Sequence, residues 1–326
     1  MTRVDHRLRV PVAEASPRDI SAYRRGNTGV DHVHRIDSGV PGPSVAIAGL
    51  THGNEICGMT AVTWLLDRGV RPRRGTMTLW LGNVAAYERL RADDLANQTR
   101  HRFVDRDLNR AWGDDVVRDD HSSVEAHRVR ALLPFVEAQD ALLDIHSTTF
   151  CETPFFVYRD LPRVRALADG IGVPSVQVLM AGGQHSGLTM GERGKFSDPA
   201  ADARCVAVEC GTHLSHAAGI LAVQVALRFL DGLGVLDPHI AATHIAQAQP
   251  EPIRRYLIDR VFRPASDTAR FARAFAAFEE LRRGEPIVVD GAETLVAPFD
   301  RCTILMPSPV VTKGRDMVTL ARPIDA

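Results

Sequence analysis

The chain has 326 residues, of which 45% are hydrophobic and 24% charged, as in ordinary globular proteins, and this length favours two domains. The formal net charge of −1 argues against bulk electrostatic attraction to nucleic acid or anionic membranes, and no apolar run approaches the ~20 residues that span a bilayer. The five cysteines are scattered without a C-x-x-C pair and the first residues lack an apolar export signal, so the sequence predicts reduced thiols and a cytoplasmic protein.

The first part of the chain leads into a strand and a helix. Residues 1–43 are charged and rich in turn-forming residues, and we expect an N-terminal extension, with a hairpin at 30–39, packed on the following domain. Residues 44–50 (SVAIAGL) are typical of a buried strand. Residues 55–66 carry apolar side chains at helical spacing, so a strand-to-helix corner is predicted between the two segments.

Strands and helices then alternate along the chain. We predict strands at 76–82, 141–147, 154–158, 175–179 and 205–209, and helices at 124–139 and 220–233. Such alternation predicts an α/β catalytic domain at 44–245, with a mainly parallel sheet that helices cover on both faces. A long polar connection at 92–120 interrupts the pattern, and so long a connection is more often functional than idle.

The composition changes near residue 245. The segment AQAQPEPIRR is typical of a linker, and the rest of the chain is rich in β-branched residues and turns. We predict short strands at 286–289, 294–297, 303–306, 310–312 and 317–320, preceded by a helix at 271–281. Residues 246–326 are therefore expected to form a small all-β domain, either a sandwich or a compact barrel.

Two histidines and two acids at strand ends are typical of a zinc site. His52 and Glu55 lie at the first strand-to-helix corner, where their side chains can converge on one metal ion. A catalytic zinc ion usually takes three protein ligands, and His146, at the end of a buried strand, offers the third. Asp144 precedes it by two residues on the same side of that strand, where it can orient the imidazole. Taken alone, His52 and Glu55 are also compatible with a surface histidine and a helix cap.

Further candidates lie in the polar connection and on a later strand. Arg102 and the segment 107–110 (DLNR) combine an arginine fork with an amide, which suits a carboxylate ligand or a developing oxyanion. A solvated charged loop is the alternative. Glu209 ends an apolar strand, where a buried carboxylate is costly unless it has a purpose, such as general-base catalysis, or a partner.

Four motifs in order resemble the succinylglutamate desuccinylase/aspartoacylase family, a branch of the zinc carboxypeptidase-like fold. They are G-x-T-H-G-N-E at 49–55, D-x-D-L-N-R at 105–110, D-I-H-S-T at 144–148 and V-x-V-E-C-G at 206–211. The resemblance covers roughly residues 44–230, and the C-terminal β segment resembles the second domain of the family less specifically.

The resemblance implies a set of functional residues and a reaction. One zinc ion per chain would be bound by His52, Glu55 and His146. Glu209 would be the catalytic base, and Arg102 would polarise the scissile carbonyl. Asn109 and Arg110 would hold a carboxylate of the substrate. The implied reaction is hydrolysis of the amide bond of a small N-acyl amino acid.

The segment at 190–196 (MGERGKF) departs from the family pattern, because it lacks the tyrosine that the family carries there. Arg193 or Lys195 would replace the missing arginine of the family, whereas Glu192 would favour a substrate with a cationic amine. Two other readings stay open: a metallocarboxypeptidase acting on short peptides, and a non-catalytic, metal-stabilised binding protein. We expect a small-molecule partner, no nucleic acid and no membrane, and the sequence leaves homo-oligomerisation open.

Overall fold

The computed structural model describes residues 14–183, 186–247, 249, 251–308 and 310–324. Residues 1–13 of the predicted N-terminal extension and positions 248 and 250 of the predicted linker lie outside this range. The strands are β1 Val33–Asp37, β2 Ser44–Gly49, β3 Thr76–Leu81, β4 Ala141–Thr148, β5 Phe155–Arg159, β6 Val176–Met180, β7 Arg204–Thr212, β8 Arg254–Phe262, β9 Arg270–Phe271, β10 Glu280–Leu281, β11 Pro286–Asp290, β12 Glu293–Val296, β13 Cys302–Leu305 and β14 Val318–Ile324. The α-helices are α1 Ile56–Asp67, α2 Val84–Tyr87, α3 Asp114–Asp119, α4 Val124–Glu137, α5 Pro162–Ile171, α6 His216–Gly232 and α7 Pro238–His244.

A large mixed sheet organises the described residues. Its strand order is β1-β3-β2-β4-β7-β5-β6-β8-β14-β13-β10, and β3, β2, β4 and β7 are parallel neighbours. A separate antiparallel sheet has the order β12-β11-β9. The carboxyl ends of β2, β4 and β7 therefore meet at one edge, which is where open α/β sheets place their ligands.

Alternate residues of the central strands face two cores. Val45 and Ile47 of β2 pack in the core that α1 and α6 cover. Ala46 and Ala48 of the same strand pack in a second core, which includes Val129 of α4. Both faces of the sheet are thus covered by helices, which is why its strands are almost continuously apolar. The predicted α/β architecture with a large, mainly parallel sheet is confirmed.

Most predicted elements are confirmed, with ends that differ by four residues or fewer, but three are wrong. Residues 30–39 do not form a hairpin, because β1 pairs with β3 instead. Residues 310–312 do not form a strand. Residues 271–281 contain the ends of two short strands rather than a helix, because Phe271 pairs with Val288 and Leu281 with Cys302.

The C-terminal strands continue the central sheet. β8 pairs in parallel with β6 on one side and antiparallel with β14 on the other. The small antiparallel sheet shares a core with β13 and β14, through side chains that include Phe271, Ile287 and Ile304. Two β layers over one core agree with the expected C-terminal β region, and the domain limits at 43 and 245 stay a prediction. Among the described residues, no helix is both long and apolar enough to cross a membrane.

Candidate active site

A cavity of about 520 Å³ lies over the edge where β2, β4 and β7 end. Its floor consists of side chains from adjacent strands, which are Asp144 and His146 of β4, Cys205, Ala207 and Glu209 of β7, Val157 and Arg159 of β5, and Met180 of β6. The register explains this set, because Asp144 is paired with Ala207 and His146 with Glu209. Residues of the polar connection, which include Arg102, Asp107, Asn109 and Arg110, form a second wall.

The sharp turn after β2 lets the polar connection at 92–120 pack against the motif at 49–55. Leu50 adopts a positive φ of 54°, which turns the chain sharply out of the strand. The backbone N–H of Gly53 donates to the carbonyl of Arg102 at 3.0 Å. A Cβ atom at position 53 would lie 2.5 Å from the carbonyl oxygen of His101, so glycine is needed for this close approach.

His52, Glu55 and His146 converge on one point inside the protein. One ligand atom from each lies within 4.8 Å of the others, and all three residues are buried. His52 Nδ1 lies 2.9 Å from Glu55 Oε1, and His146 Nδ1 lies 2.8 Å from Glu55 Oε2. The Nδ1 atoms of both imidazoles thus face the same carboxylate.

The opposite ring nitrogens are held by two further carboxylates. His52 Nε2 donates to Asp107 Oδ1 at 2.9 Å, and His146 Nε2 donates to Asp144 Oδ2 at 2.6 Å. Thr51 Oγ1 in turn donates to Asp144 Oδ1 at 2.7 Å. A carboxylate that accepts a hydrogen bond from Nε2–H fixes the tautomer in which Nδ1 can bind a metal. The donor set therefore fits a metal ion between the two Nδ1 atoms and Glu55, and two nitrogen donors with one carboxylate suit zinc.

The charges within this cluster perturb its pKa values. Burial alone would raise the pKa of Glu55, but its electrostatic interactions and hydrogen bonds with His52 and His146 outweigh burial and hold this pKa well below its usual range. Burial would lower the pKa of His146, but Asp144 and Glu55 raise it well above its usual value. For Asp107, burial is outweighed by His52 and Arg102, and the pKa is lowered. In the described structure the cluster is held by cation–carboxylate pairs.

Arg102 lies at the centre of the cluster. Its Nη1 donates to Glu55 Oε1 at 2.9 Å, and its Nη2 donates to Asp107 Oδ2 at 3.2 Å. Burial disfavours the charged guanidinium, yet Asp107 and Glu55 raise the pKa of Arg102 above its usual value. The residue is therefore a fixed positive charge beside the candidate metal ligands.

A buried carboxylate outside the cavity holds the connection that carries Arg102 and Asp107. Glu125, at the start of α4, is fully buried. Its Oε1 accepts from Asn83 Nδ2 at 2.9 Å and from the Val104 N–H at 2.7 Å. Its Oε2 accepts from the N–H groups of Asp105 and Arg106 at 3.1 and 3.2 Å. The side chain of Glu125 thus fixes three consecutive backbone N–H groups, which lie between Arg102 and Asp107 in the chain.

Glu209 lies on β7 beside His146, in the same cavity. Its Oε2 atom is buried and has no hydrogen-bond partner among the described residues. Burial raises the pKa of Glu209 to about 8, against the opposing charge of His146. A carboxylate in a cavity with one oxygen that has no described partner is typical of a group that exchanges a proton with a ligand.

Asn109 and Arg110 follow Asp107 into the cavity wall. The side chain of Asp107 accepts from the Asn109 N–H at 2.8 Å, which fixes the turn between them. Asn109 Oδ1 accepts from the Met190 N–H at 3.0 Å, so its amide NH₂ group is the part that can donate to a ligand. Burial lowers the pKa of Arg110, although the guanidinium remains cationic at neutral pH.

The structure places Glu192 and Arg193 apart from the other predicted site residues. The cavity-lining residues that the structure describes include Thr189 and Gly191 but neither of these two. Glu192 Oε2 accepts from Thr189 Oγ1 at 2.8 Å and caps a turn. Arg193 donates to the Trp112 carbonyl at 3.0 Å and forms ion pairs with acids of α3 and α4. Both side chains are engaged in local structure, so their predicted role in substrate binding lacks support from the geometry.

Two features of the cavity were not predicted. Ser147 Oγ lies 2.7 Å from His213 Nδ1, and burial lowers the pKa of His213 to about 4, so this imidazole is neutral. Residues from the described C-terminal ranges 306–308 and 310–316 supply a wall that includes Met306, Val310 and Asp316. The only sequence signal for the first feature is the pair of histidines after Glu209. The second depends on a contact between segments distant in the chain.

Comparison with known proteins gives a family match over more than half of the chain. Residues 41–227 match the model of the succinylglutamate desuccinylase/aspartoacylase catalytic domain. A stretch of 117 residues is 37% identical to the N-acyl-aromatic-L-amino acid amidohydrolase (carboxylate-forming) of Rattus norvegicus, and it covers 32% of this chain and 33% of the relative. A relative of the same name from Xenopus laevis is 30% identical over 118 residues, which cover 33% of this chain and 35% of the relative. These matches span about a third of the length of the curated relatives.

Solved structures of similar proteins have the same fold over nearly the whole chain. A succinylglutamate desuccinylase/aspartoacylase from Rhodobacter sphaeroides superposes with a TM-score of 0.62 at 19% identity, and covers 96% of this chain and 94% of its own. The ectoine utilization protein EutE (DoeB) from Ruegeria pomeroyi, in a product-bound structure, superposes with a TM-score of 0.61 at 14% identity, over 89% of this chain and 88% of its own. At these identities the similarity shows the fold.

Proposed function

Because this chain belongs to the succinylglutamate desuccinylase/aspartoacylase family, we propose that it is a zinc-dependent amidohydrolase that cleaves the amide bond of a small N-acyl amino acid. The products would be a carboxylate and an amino acid. One observation carries the proposal: His52, Glu55 and His146 converge in a cavity that also contains the unpartnered carboxylate oxygen of Glu209. The names of the curated relatives, which are amidohydrolases, support the same reaction class.

His52, Glu55 and His146 would hold one zinc ion per chain, with Asp107 and Asp144 orienting the two imidazoles. When bound, zinc supplies a Lewis acid that polarises a carbonyl and makes water more acidic. Each carboxylate accepts a hydrogen bond from Nε2–H and so keeps the proton on Nε2. The Nδ1 lone pair of each imidazole is then available for the ion.

Glu209 would take the proton of the attacking water and pass it to the departing nitrogen. The absence of a described partner on Oε2 leaves this atom available to accept a proton, and its raised pKa of about 8 favours a carboxyl that can also return the proton. Arg102 would stabilise the negative charge that develops on the carbonyl oxygen, because its guanidinium is held in place by Asp107.

Asn109 and Arg110 would bind the carboxylate of the amino-acid part of the substrate. Both line the cavity, and an amide donor beside a guanidinium suits the geometry of a carboxylate. The cavity has a volume of about 520 Å³ and C-terminal residues such as Met306 and Asp316 line it as well, which favours a small acyl amino acid over the peptides of a metallocarboxypeptidase.

The experiment is release of primary amine from a panel of N-acyl amino acids and short peptides, by protein that is stripped with a chelator and then reloaded with zinc. We expect activity on one or more acyl amino acids to be lost on stripping and to return with zinc. Glu209→Gln should reduce kcat by ~10²–10⁴-fold while one zinc ion stays bound. Glu137→Gln, a change at a half-exposed carboxylate of α4, is the matched control and should leave kcat unchanged.

Each of the remaining readings has its own result in this experiment. Cleavage confined to the C-terminal residue of short peptides would indicate a metallocarboxypeptidase. Zinc bound at one per chain without turnover of any substrate would indicate the non-catalytic binding protein. A Glu209→Gln variant as active as the parent would refute the assignment of the base.

A further inference from the structure

Arg159, the last residue of β5, lines the cavity and has two hydrogen-bond donors that no described residue satisfies. Its Nε and Nη1 atoms are buried and have no hydrogen-bond partner within the described part of the chain. In contrast, Arg102 in the same cavity donates to both Glu55 and Asp107. Buried donors of a guanidinium that form no hydrogen bond are costly, so this arrangement points to a partner supplied by a ligand.

The backbone around Arg159 makes room for its guanidinium. Gly182 follows β6, the neighbour of β5, and adopts a φ of +99°. A Cβ atom at position 182 would collide with Nη1 and Cζ of Arg159. The backbone conformation favours glycine at 182, and the missing Cβ leaves the space that the guanidinium occupies. The arginine occupies a place shaped for it in the cavity wall.

We propose that Arg159 is a specificity-determining residue that binds a second carboxylate of the substrate, at the end of the cavity remote from the scissile amide. This inference rests on the proposed function for the reaction itself. A guanidinium binds a carboxylate through two parallel hydrogen bonds, which here would be donated by Nη2 together with either Nε or Nη1, and such a charge-assisted pair would satisfy one of the two orphaned donors and balance the charge.

The strand register sets the distance between Glu209 and Arg159. Phe155 is paired with Glu209, and Arg159 lies four residues further along β5. At ~3.3 Å per residue, the two backbone positions are ~13 Å apart. The floor between them consists of Val157, Ala207 and Cys205, which are small or apolar. A substrate that reaches from Glu209 to Arg159 therefore has an apolar stretch of several carbons and ends in a carboxylate.

This terminal carboxylate could belong to the acyl group or to the amino-acid side chain, and matched substrates separate the two. The acyl arm compares N-glutaryl-L-alanine with its terminal amide, and the side-chain arm compares N-acetyl-L-glutamate with N-acetyl-L-glutamine. We expect the wild-type protein to prefer the acid over the amide in one arm. Arg159→Gln should abolish that preference and lower kcat/KM for the acid on the order of 10–100-fold, mainly through KM, because a hydrogen-bonded charge pair is lost.

Two further variants serve as controls. Arg159→Lys keeps the charge and should restore part of the preference. Arg165→Gln removes a neighbouring, partly exposed arginine of α5, whose partner is Asp160, and should behave as wild type. Equal activity of the wild-type protein on acid and amide in both arms would overturn the proposal. An equal loss on acid and amide in Arg159→Gln would also overturn it.

A binding measurement separates this proposal from the proposed reaction. Glutarate and its monoamide are titrated calorimetrically into the zinc-loaded wild-type and Arg159→Gln proteins. If no acyl amino acid is hydrolysed, the reaction assignment fails, but glutarate binding that is at least ~10-fold weaker in the variant would still support a carboxylate site at Arg159. Equal binding of glutarate to both proteins would refute that site.

Discussion

Replacement of Glu125 by glutamine tests how the protein positions Arg102, the residue proposed to stabilise the oxyanion. The carboxylate of Glu125 is 0% exposed and accepts four hydrogen bonds, three of them from the backbone N–H groups of Val104, Asp105 and Arg106. A glutamine side chain of the same shape presents an NH₂ group in place of one oxygen. In either orientation, two of the four donors would then face another donor.

The size of the effect follows from these contacts. A hydrogen bond to a charged group contributes ~1.5–3 kcal/mol, so losing two of them gives an upper range of ~3–6 kcal/mol. Relaxation of the surface-facing connection would recover part of this, and we expect a loss of ~3 kcal/mol in the free energy of unfolding. Because the released N–H groups lie between Arg102 and Asp107, kcat should fall as well.

Urea unfolding followed by circular dichroism measures the free energy, and hydrogen exchange measures the local effect. The N–H groups of residues 104–106 should exchange faster in Glu125→Gln than in wild type. Glu137→Gln, on the same helix but with its side chain 55% exposed, should change stability by less than ~0.5 kcal/mol. A loss below ~1 kcal/mol in Glu125→Gln, with unchanged exchange at 104–106, would refute the reasoning.

Two other predictions follow from the described contacts. Asp144→Asn weakens the support of His146 Nε2 and should reduce zinc affinity by ~10–100-fold, measured by competition with a chromophoric chelator; an unchanged affinity would argue against the orienting role. Burial, aided by the charge of Arg128, lowers the pKa of His32 to about 4. The unfolded chain therefore binds this proton first, and the stability due to neutral His32 is complete above pH ~6.5 and is lost as the pH falls towards ~4. Between pH 7.5 and 4.5, wild type should lose ~2 kcal/mol more than His32→Gln in urea unfolding, and parallel losses would contradict this.

The sequence was most informative where one interaction decides the structure. The apolar run at 44–50 is too short for a helix and is buried on both faces, so β2 was predicted within one residue. His52, Glu55 and His146 were predicted as one cluster because two parallel strand ends meet at a single edge. The Nε2 contact of His146 was also expected, since Asp144 lies two residues away on the same strand.

The sequence was least informative where distant segments compete with local preference. Residues 271–281 are rich in alanine and have apolar side chains at helical spacing, yet pairing with β11 and β13 makes their ends strands. Arg193 carries the right charge for a substrate site, but acids of α3 and α4 engage it. The position of the Arg159 guanidinium depends on the missing side chain of Gly182, more than twenty residues away, and no local pattern reports such a contact.

The parallel pairing of β8 with β6 protects an edge of the large sheet from pairing with another chain. All five residues of β6 are buried, and β8 covers the edge that β5 leaves open. A chain interrupted before β8 would present an apolar strand with unpaired N–H and C=O groups, which is a template for strand addition by another chain. The C-terminal strand β8 thus prevents β6 from pairing with a second chain. Chains that end before β8 should therefore aggregate rather than remain folded.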